Sequence, residues 1–276
     1  MRPGQPSRTA FGAALLRALH QDLDEPRIFT DPLAWRILGG DRDGLRDLVE
    51  ASGPPGLRRF VAARHRFAED SLARAVAAGT TQVVVLGAGF DTFAYRNPFS
   101  GTRVFEVDHP ATGAWKRERL AEAGIAVPAA TSYVGVDFER EDFLTVLRDH
   151  GFDATRPAFF LWLGVVPYLS REAVASTLAS VARIPGGEVV LDHTGPAEQL
   201  SGRTRAAHAD LRDRVAGLGE PLTAGWDPGD LDALLRRLGF AEIEALGRRD
   251  IRARYLGLPP TGPSTGGRIV RARTPR

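Results

Sequence analysis

Cysteine is absent from the 276 residues. That excludes disulfides, iron–sulfur clusters, thiolate zinc sites and cysteine nucleophiles. Lysine is nearly absent as well. Of 36 basic residues only Lys116 is lysine, and with the abundance of alanine and arginine this composition points to a GC-rich, bacterial coding sequence. No apolar run approaches the ~18 residues of a membrane span, so no membrane partner is expected. No basic stripe stands out either, because 36 basic and 34 acidic residues, for a net charge of +2, are interleaved along the chain. Nucleic-acid binders concentrate Lys and Arg on one element to replace counterions on phosphate, so no nucleic-acid partner is expected. His20, His65, His150 and His208 show no ligand spacing such as HExxH, and no metal is expected.

What is present is an ordinary globular composition, 43% hydrophobic and 25% charged, on a length that suits one α/β domain with additions. The opening MRPGQPSRTAFGAALLRALHQDL is basic, and Arg17 and His20 interrupt its apolar stretch. It reads as an amphipathic helix rather than a signal peptide, with a cytoplasmic location expected. Residues 8–25 and 32–50 have helical spacing around the proline-broken DEPRIFTDP, and Gly-Pro-Pro-Gly at 53–56 is a second break. From Leu57 to Ala78 the apolar positions Phe60, Ala63, Phe67, Leu72 and Val76 fall close to one helix face.

The period then changes. Gln82–Leu86 is a continuous apolar run ending in glycine, the mark of a buried parallel strand. Further strands are expected at Arg103–Val107, Ser132–Val136, Ala158–Leu163, Glu188–Asp192, Ala241–Ala245 and Arg268–Arg273, with helices over 110–123, 140–150, 171–183 and 229–238. Strand–helix alternation implies a doubly wound, Rossmann-like sheet of seven mostly parallel strands covered on both faces. The last two strands are joined by a Pro/Gly-rich stretch without an evident helix, which predicts an antiparallel end. The expected organisation is one domain over 1–276, with a helical cover at 1–56, a core from 57 onward and a helical insertion at about 196–226.

The glycine turn Gly87-Ala88-Gly89, within VLGAGFDT, allows a ligand to approach bare backbone at the tip of the first strand, although a plain strand-to-helix turn has the same pattern. A dinucleotide fingerprint would carry a third small residue at 92 and leave the helix N-terminus to a pyrophosphate. Here Thr92 follows the carboxylate of Asp91, which repels phosphate and tolerates a ligand bearing ammonium and sulfonium groups. S-adenosylmethionine therefore fits better than NAD. The second strand ends Phe105-Glu106-Val107-Asp108, putting carboxylates 19 and 21 residues after Gly87, where an acid at the neighbouring strand tip accepts both ribose hydroxyls. Glu106 and Asp108 share a side of the strand, so either or both fit that role, with helix capping or solvent exposure as the competing reading. After the third strand, Asp137 could accept from an adenine amino group while the backbone N–H of Phe138 donates to the ring; alone, Asp137 also fits a turn.

Together, VVVLGAGFDTFAYR, VFEVDHPATGAWKRERL, VGVDFE and FFLWLGVVPYLSREAV, in this order and spacing, resemble the leucine carboxyl methyltransferase family of class I S-adenosylmethionine-dependent methyltransferases, including its bacterial small-molecule O-methylating branch. The resemblance runs from about Arg64 to His193, with a weaker echo in FTDPLAWRIL. It implies that Gly87 contacts the cofactor, Asp108 takes the ribose, Asp137 and Phe138 take the adenine, and Arg64 pairs with the methionyl carboxylate. There is one departure: many family members hold the cofactor's amino group with a glutamate after the fourth strand, where this chain has Leu163. Backbone carbonyls near Leu163 or Gly87 are then expected to take that group.

Methyl transfer from a sulfonium is an in-line displacement, so alignment within ~3–3.5 Å and exclusion of water matter most. A carboxylate acceptor needs an anchor but no base, whereas a hydroxyl profits from one. His193 and Tyr168, at strand tips, are the candidates for direct roles, each with a structural alternative; His109 is expected to sit behind the ribose acids and Arg96 to pair with a local acid. The expected activity is methyl-ester formation on a carboxylate of a small metabolite of secondary metabolism or of a peptide C-terminus, the carboxylate preference coming from the resemblance alone. Hydroxyl O-methylation, cofactor binding without transfer and an NAD(P)-dependent oxidoreductase are the alternatives. Acceptor identity and oligomeric state are not encoded in any motif.

Overall fold

The computed structural model describes residues 6–39, 44, 55–200, 202–223, 225–261 and 265–276. Among these, seven strands form one sheet in the order β3-β2-β1-β4-β5-β7-β6: β1 Gln82–Leu86, β2 Arg103–Asp108, β3 Thr131–Gly135, β4 Ala158–Trp162, β5 Glu188–Thr194, β6 Glu242–Leu246 and β7 Gly267–Arg273. β1 to β5 run parallel, and β7 lies antiparallel between β5 and β6. The sheet therefore grows outward in both directions from β1 and β4. In an open α/β sheet that reversal opens a crevice above the carboxyl ends of the strands.

Among the described residues the α-helices are α1 Arg8–Leu23, α2 Ala34–Leu38, α3 Pro55–Ala77, α4 Phe93–Arg96, α5 Pro110–Glu122, α6 Phe143–Asp149, α7 Arg171–Ala182, α8 Gly202–Gly217, α9 Pro228–Arg237 and α10 Arg248–Leu256. Local chemistry sets many of their starts. Ser170 caps α7 by accepting from Ala173 N–H, Asp142 and Asp227 cap α6 and α9, and Pro110 occupies the first turn of α5, where its missing N–H costs nothing. The 53–56 break extends outside the described residues; from Pro55 the chain is already helical, because proline is tolerated in a first turn. Of the expected 32–50 helix, the structure describes Ala34–Leu38, and the remainder falls almost wholly outside the described residues.

One expectation is corrected. The β6–β7 connection carries a helix, α10. Its sequence RRDIRARYL buries only Ile251, so two turns of mostly charged residues left no apolar period to read.

Each sheet face has its own core. Val84, Phe105, Phe160 and Leu191 pack beneath α6, α7 and α9, while Val83, Val85, Leu161 and Val190 pack against Ala62, Phe67 and Leu72 of α3. A third cluster joins Leu15 and Leu19 of α1 to Ile37, Phe90 and Leu120. Polar ties fix this cover to the core. Arg17 donates to Asp31 (2.6 Å) and to the carbonyl of Phe90 (2.7 Å), and Thr92 Oγ1 donates to the same Asp31 carboxylate (2.6 Å). Asp24 accepts from Arg58 Nε at 2.7 Å and faces His20 Nδ1 at 3.0 Å, locking α1 to α3.

Candidate active site

A cavity of about 1700 Å³ opens above the carboxyl ends of β1, β2, β4 and β5, walled by the start of α1, by α3, by the insertion helix α8 and by α10. It exceeds the ~300–1,000 Å³ of a typical single-ligand site. There is room for two molecules side by side.

The floor is the glycine turn. Gly87 sits at φ +65°, and a Cβ there would lie 2.3 Å from a Val165 methyl, so both conformation and space demand glycine. Its N–H and that of Ala88 donate to the carbonyl of Val107 at 2.8 and 3.1 Å, which anchors the turn to β2. Gly89 has φ +40°, and a Cβ would meet that of Ala10 at 2.9 Å. The N-terminal cover therefore lies directly on the turn.

The two acids of β2 part company. Asp108 borders the cavity and accepts from the N–H groups of Gly89 (2.5 Å) and His109 (2.7 Å). Burial raises its pKa, and those two N–H groups pull against the rise. Glu106 is one pleat deeper, away from the large cavity. It pairs with Lys116 Nζ at 2.7 Å and accepts from Tyr95 OH at 2.7 Å, next to a separate 260 Å³ cavity. Burial raises the Glu106 carboxyl pKa against the pull of Lys116 and Tyr95. His109 borders the main cavity while its Nδ1 accepts from Ala111 N–H at the start of α5.

Asp137 and Phe138 border the cavity beyond β3. Asp137 is half-buried and accepts from Glu139 N–H, and Phe138 tilts against Phe143 with ring centroids 6.2 Å apart. On the opposite side, Arg64 reaches in from α3, buried, with Nη1 3.0 Å from Asp192 Oδ2. Its Nε is buried without a hydrogen-bond partner, a cation with donor capacity to spare at the cavity wall. Asp91 is held below the ordinary carboxylate range: burial acts upward, but His65, Arg17 and Arg96 prevail. Arg96 pairs with Glu69 and does not border the cavity.

Leu163, Tyr168 and His193 also border it. Burial, then the nearby Arg268, push the His193 pKa down to about 4, and its Nδ1 has no hydrogen-bond partner. Burial raises the Tyr168 phenol pKa. Two participants had not been singled out in the sequence. Asp192 needed the register between β4 and β5 to be found. Glu220, at the end of the insertion, accepts from Ser7 Oγ (2.8 Å), Arg8 N–H (2.6 Å) and Thr9 Oγ1 (2.6 Å), and so stitches α1 to the insertion across the cavity.

The donor set fits an adenosyl amino acid: a glycine turn, a ribose-type carboxylate at Asp108 facing it, and a buried guanidinium with an unpartnered N–H. Comparison with known proteins agrees. The family model described as leucine carboxyl methyltransferase matches residues 10–182. The chain is 29% identical to YktD of Bacillus subtilis, a candidate S-adenosyl-L-methionine-dependent methyltransferase, over 91% of both chains. It is 33% identical to one from Saccharopolyspora erythraea, over 81% of this chain and 80% of the relative. The crystal structure of a candidate methyltransferase from Thermobifida fusca YX shares the fold, with a TM-score of 0.60 at 18% identity over 100% of this chain and 97% of that one.

Proposed function

The chain belongs to the leucine carboxyl methyltransferase family and is an S-adenosylmethionine-dependent methyltransferase; from that premise we propose that it methylates oxygen, specifically a carboxylate of a small metabolite, to give a methyl ester. When bound, the cofactor supplies an electrophilic methyl group on a sulfonium. The chain's own residues bind, orient and exclude water. Asp108 presents its carboxylate for the ribose hydroxyls, the glycine turn brings backbone close to the nucleoside, and Arg64 offers its guanidinium to the methionyl carboxylate. The apolar side chains Phe60, Leu211 and Leu256 wall the remaining volume, where they would keep water from the displacement.

What supports the carboxylate reading first is the match to the leucine carboxyl methyltransferase family model over residues 10–182; the lowered basicity of His193 is consistent with it. A pKa of about 4 makes this cavity histidine a poor proton acceptor near neutrality, so it would do little to activate a hydroxyl. A carboxylate is already ionised and needs no such help. Arg248 and Arg252, one turn apart on α10, also border the cavity and favour an anion there. The test is incubation with methyl-labelled cofactor and a panel of small carboxylic acids, followed by mild base. Methyl esters release labelled methanol; base-stable label would instead mark a hydroxyl acceptor and overturn the ester.

A further inference from the structure

The family resemblance predicts an acid at 163 for the cofactor's ammonium group, and the chain has leucine there. The sheet register shows where a carboxylate stands instead. β4 and β5 pair Leu161 with Val190 and Trp162 with Leu191, and one further step sets Leu163 beside Asp192. Side chains alternate along a strand. Leu161 and Val190 both pack on the α3 face of the sheet, and Leu163 packs against the same cluster, which puts Asp192 on that face too. The carboxylate thus stands at the same level and on the same face as position 163, one strand over, ~4.8 Å sideways.

Asp192 is also built to hold a cation. Its side chain is 4% exposed and borders the cavity. Oδ1 accepts from Gly164 N–H at 2.6 Å and Oδ2 from Arg64 Nη1 at 3.0 Å. An ionised carboxylate offers about four acceptor positions, so two remain. The Gly164 contact depends on glycine, since at φ +74° a Cβ would come within 2.7 Å of the Arg64 guanidinium. The other acids bordering the cavity are differently employed: Asp108 faces the glycine turn, Glu220 holds α1, Asp137 and Glu139 lie beyond β3, and Asp91 accepts from Phe93 N–H while facing His65 Nε2 at 3.4 Å.

We propose that Asp192 replaces the missing acid at 163 and receives the α-ammonium of the cofactor's methionyl group, with Arg64 beside it receiving the α-carboxylate. A buried ion pair contributes little net stability, because desolvation offsets its attraction. Its sense here is as a receptor for a zwitterion, one charge for each of the ligand's. The inference rests on the S-adenosylmethionine reading and is independent of the methyl acceptor.

The probes are S-adenosylhomocysteine and its desamino analogue, in which hydrogen replaces only the α-amino group, titrated calorimetrically. The wild-type chain is expected to prefer S-adenosylhomocysteine at least tenfold. Asp192→Asn is expected to bring that preference within twofold, and adding Leu163→Glu to that variant is expected to restore it. A shift of the Arg64 guanidinium, which pairs with Asp192, weakens the α-carboxylate contact of both ligands, and the Leu163→Glu rescue ties the remaining difference to a carboxylate at this level of the sheet. Should Asp192→Asn not fold, Asp192→Ser gives the same readout. A preference that survives loss of the carboxylate, or one that Leu163→Glu leaves unrestored, overturns the proposal; a wild-type chain that binds neither ligand overturns the cofactor reading itself.

Discussion

Lys116 Nζ lies 2.7 Å from Glu106 Oε1, with both side chains 2% exposed, and the same ammonium sits 5.3 Å from the centroid of the Tyr95 ring. The chain's single lysine is thus spent in the interior. It neutralises the β2 acid that does not reach the main cavity, directly behind the glycine turn.

Lys116→Met should therefore destabilise the fold by about 3 kcal/mol, the low end for a broken buried pair, because Glu106 can take up a proton. That proton becomes costlier as pH rises, so the loss should be larger at pH 8 than at pH 6. Lys116→Met with Glu106→Gln should recover at least half of it. Urea unfolding of the three chains at both pH values measures each term.

Asp108→Ala removes the carboxylate that faces the glycine turn. Affinity for S-adenosylhomocysteine should fall by roughly 1.5–3 kcal/mol, the range for charge-assisted hydrogen bonds. Calorimetric titration checks this, and an unchanged affinity would move the ribose contact elsewhere.

His193 gives a pH signature of defined sign. Its folded pKa of about 4 lies below the ordinary 6.5, so the unfolded chain takes up the proton first. The stability this residue contributes is complete above pH 6.5 and is lost as pH falls towards 4, about 3 kcal/mol in all at ~1.4 kcal/mol per unit. Unfolding of wild type and His193→Gln across pH 4–7 should show that much less slope in the variant.

Glu220→Ala should release the start of α1. Backbone amides near residues 8–12 should exchange with deuterium faster while those of β1 and β4 stay protected, and S-adenosylhomocysteine should dissociate faster in stopped-flow displacement. Equal exchange in the two chains would mean that the contacts to Ser7, Arg8 and Thr9 hold nothing in place.

The sheet was legible because its central strands are buried on both faces and read as apolar runs, Val83–Leu86 and Ala158–Trp162 above all. α10 was not, since its charged residues follow no apolar period. In the site, spacing alone pointed to Gly87, Gly89 and Asp108. It pointed equally to Glu106, which shares a strand side with Asp108; only the structure shows Lys116, arriving from α5, pairing with Glu106 while Asp108 borders the main cavity. Asp192 was hidden for a different reason. Its relation to Leu163 exists only across the β4–β5 pairing, and a single sequence carries no register between strands.

The Ser7–Glu220 contact joins residues 213 positions apart. During synthesis α1 emerges long before residue 220 and must wait for that partner to leave the ribosome. Distant contacts are slow to close because the loop entropy is lost before the contact rewards it. The roof over the nucleoside crevice therefore cannot close before residue 220 is available to it. A nascent chain can have much of its parallel sheet and still lack a closed pocket, so cofactor retention would mark a finished molecule.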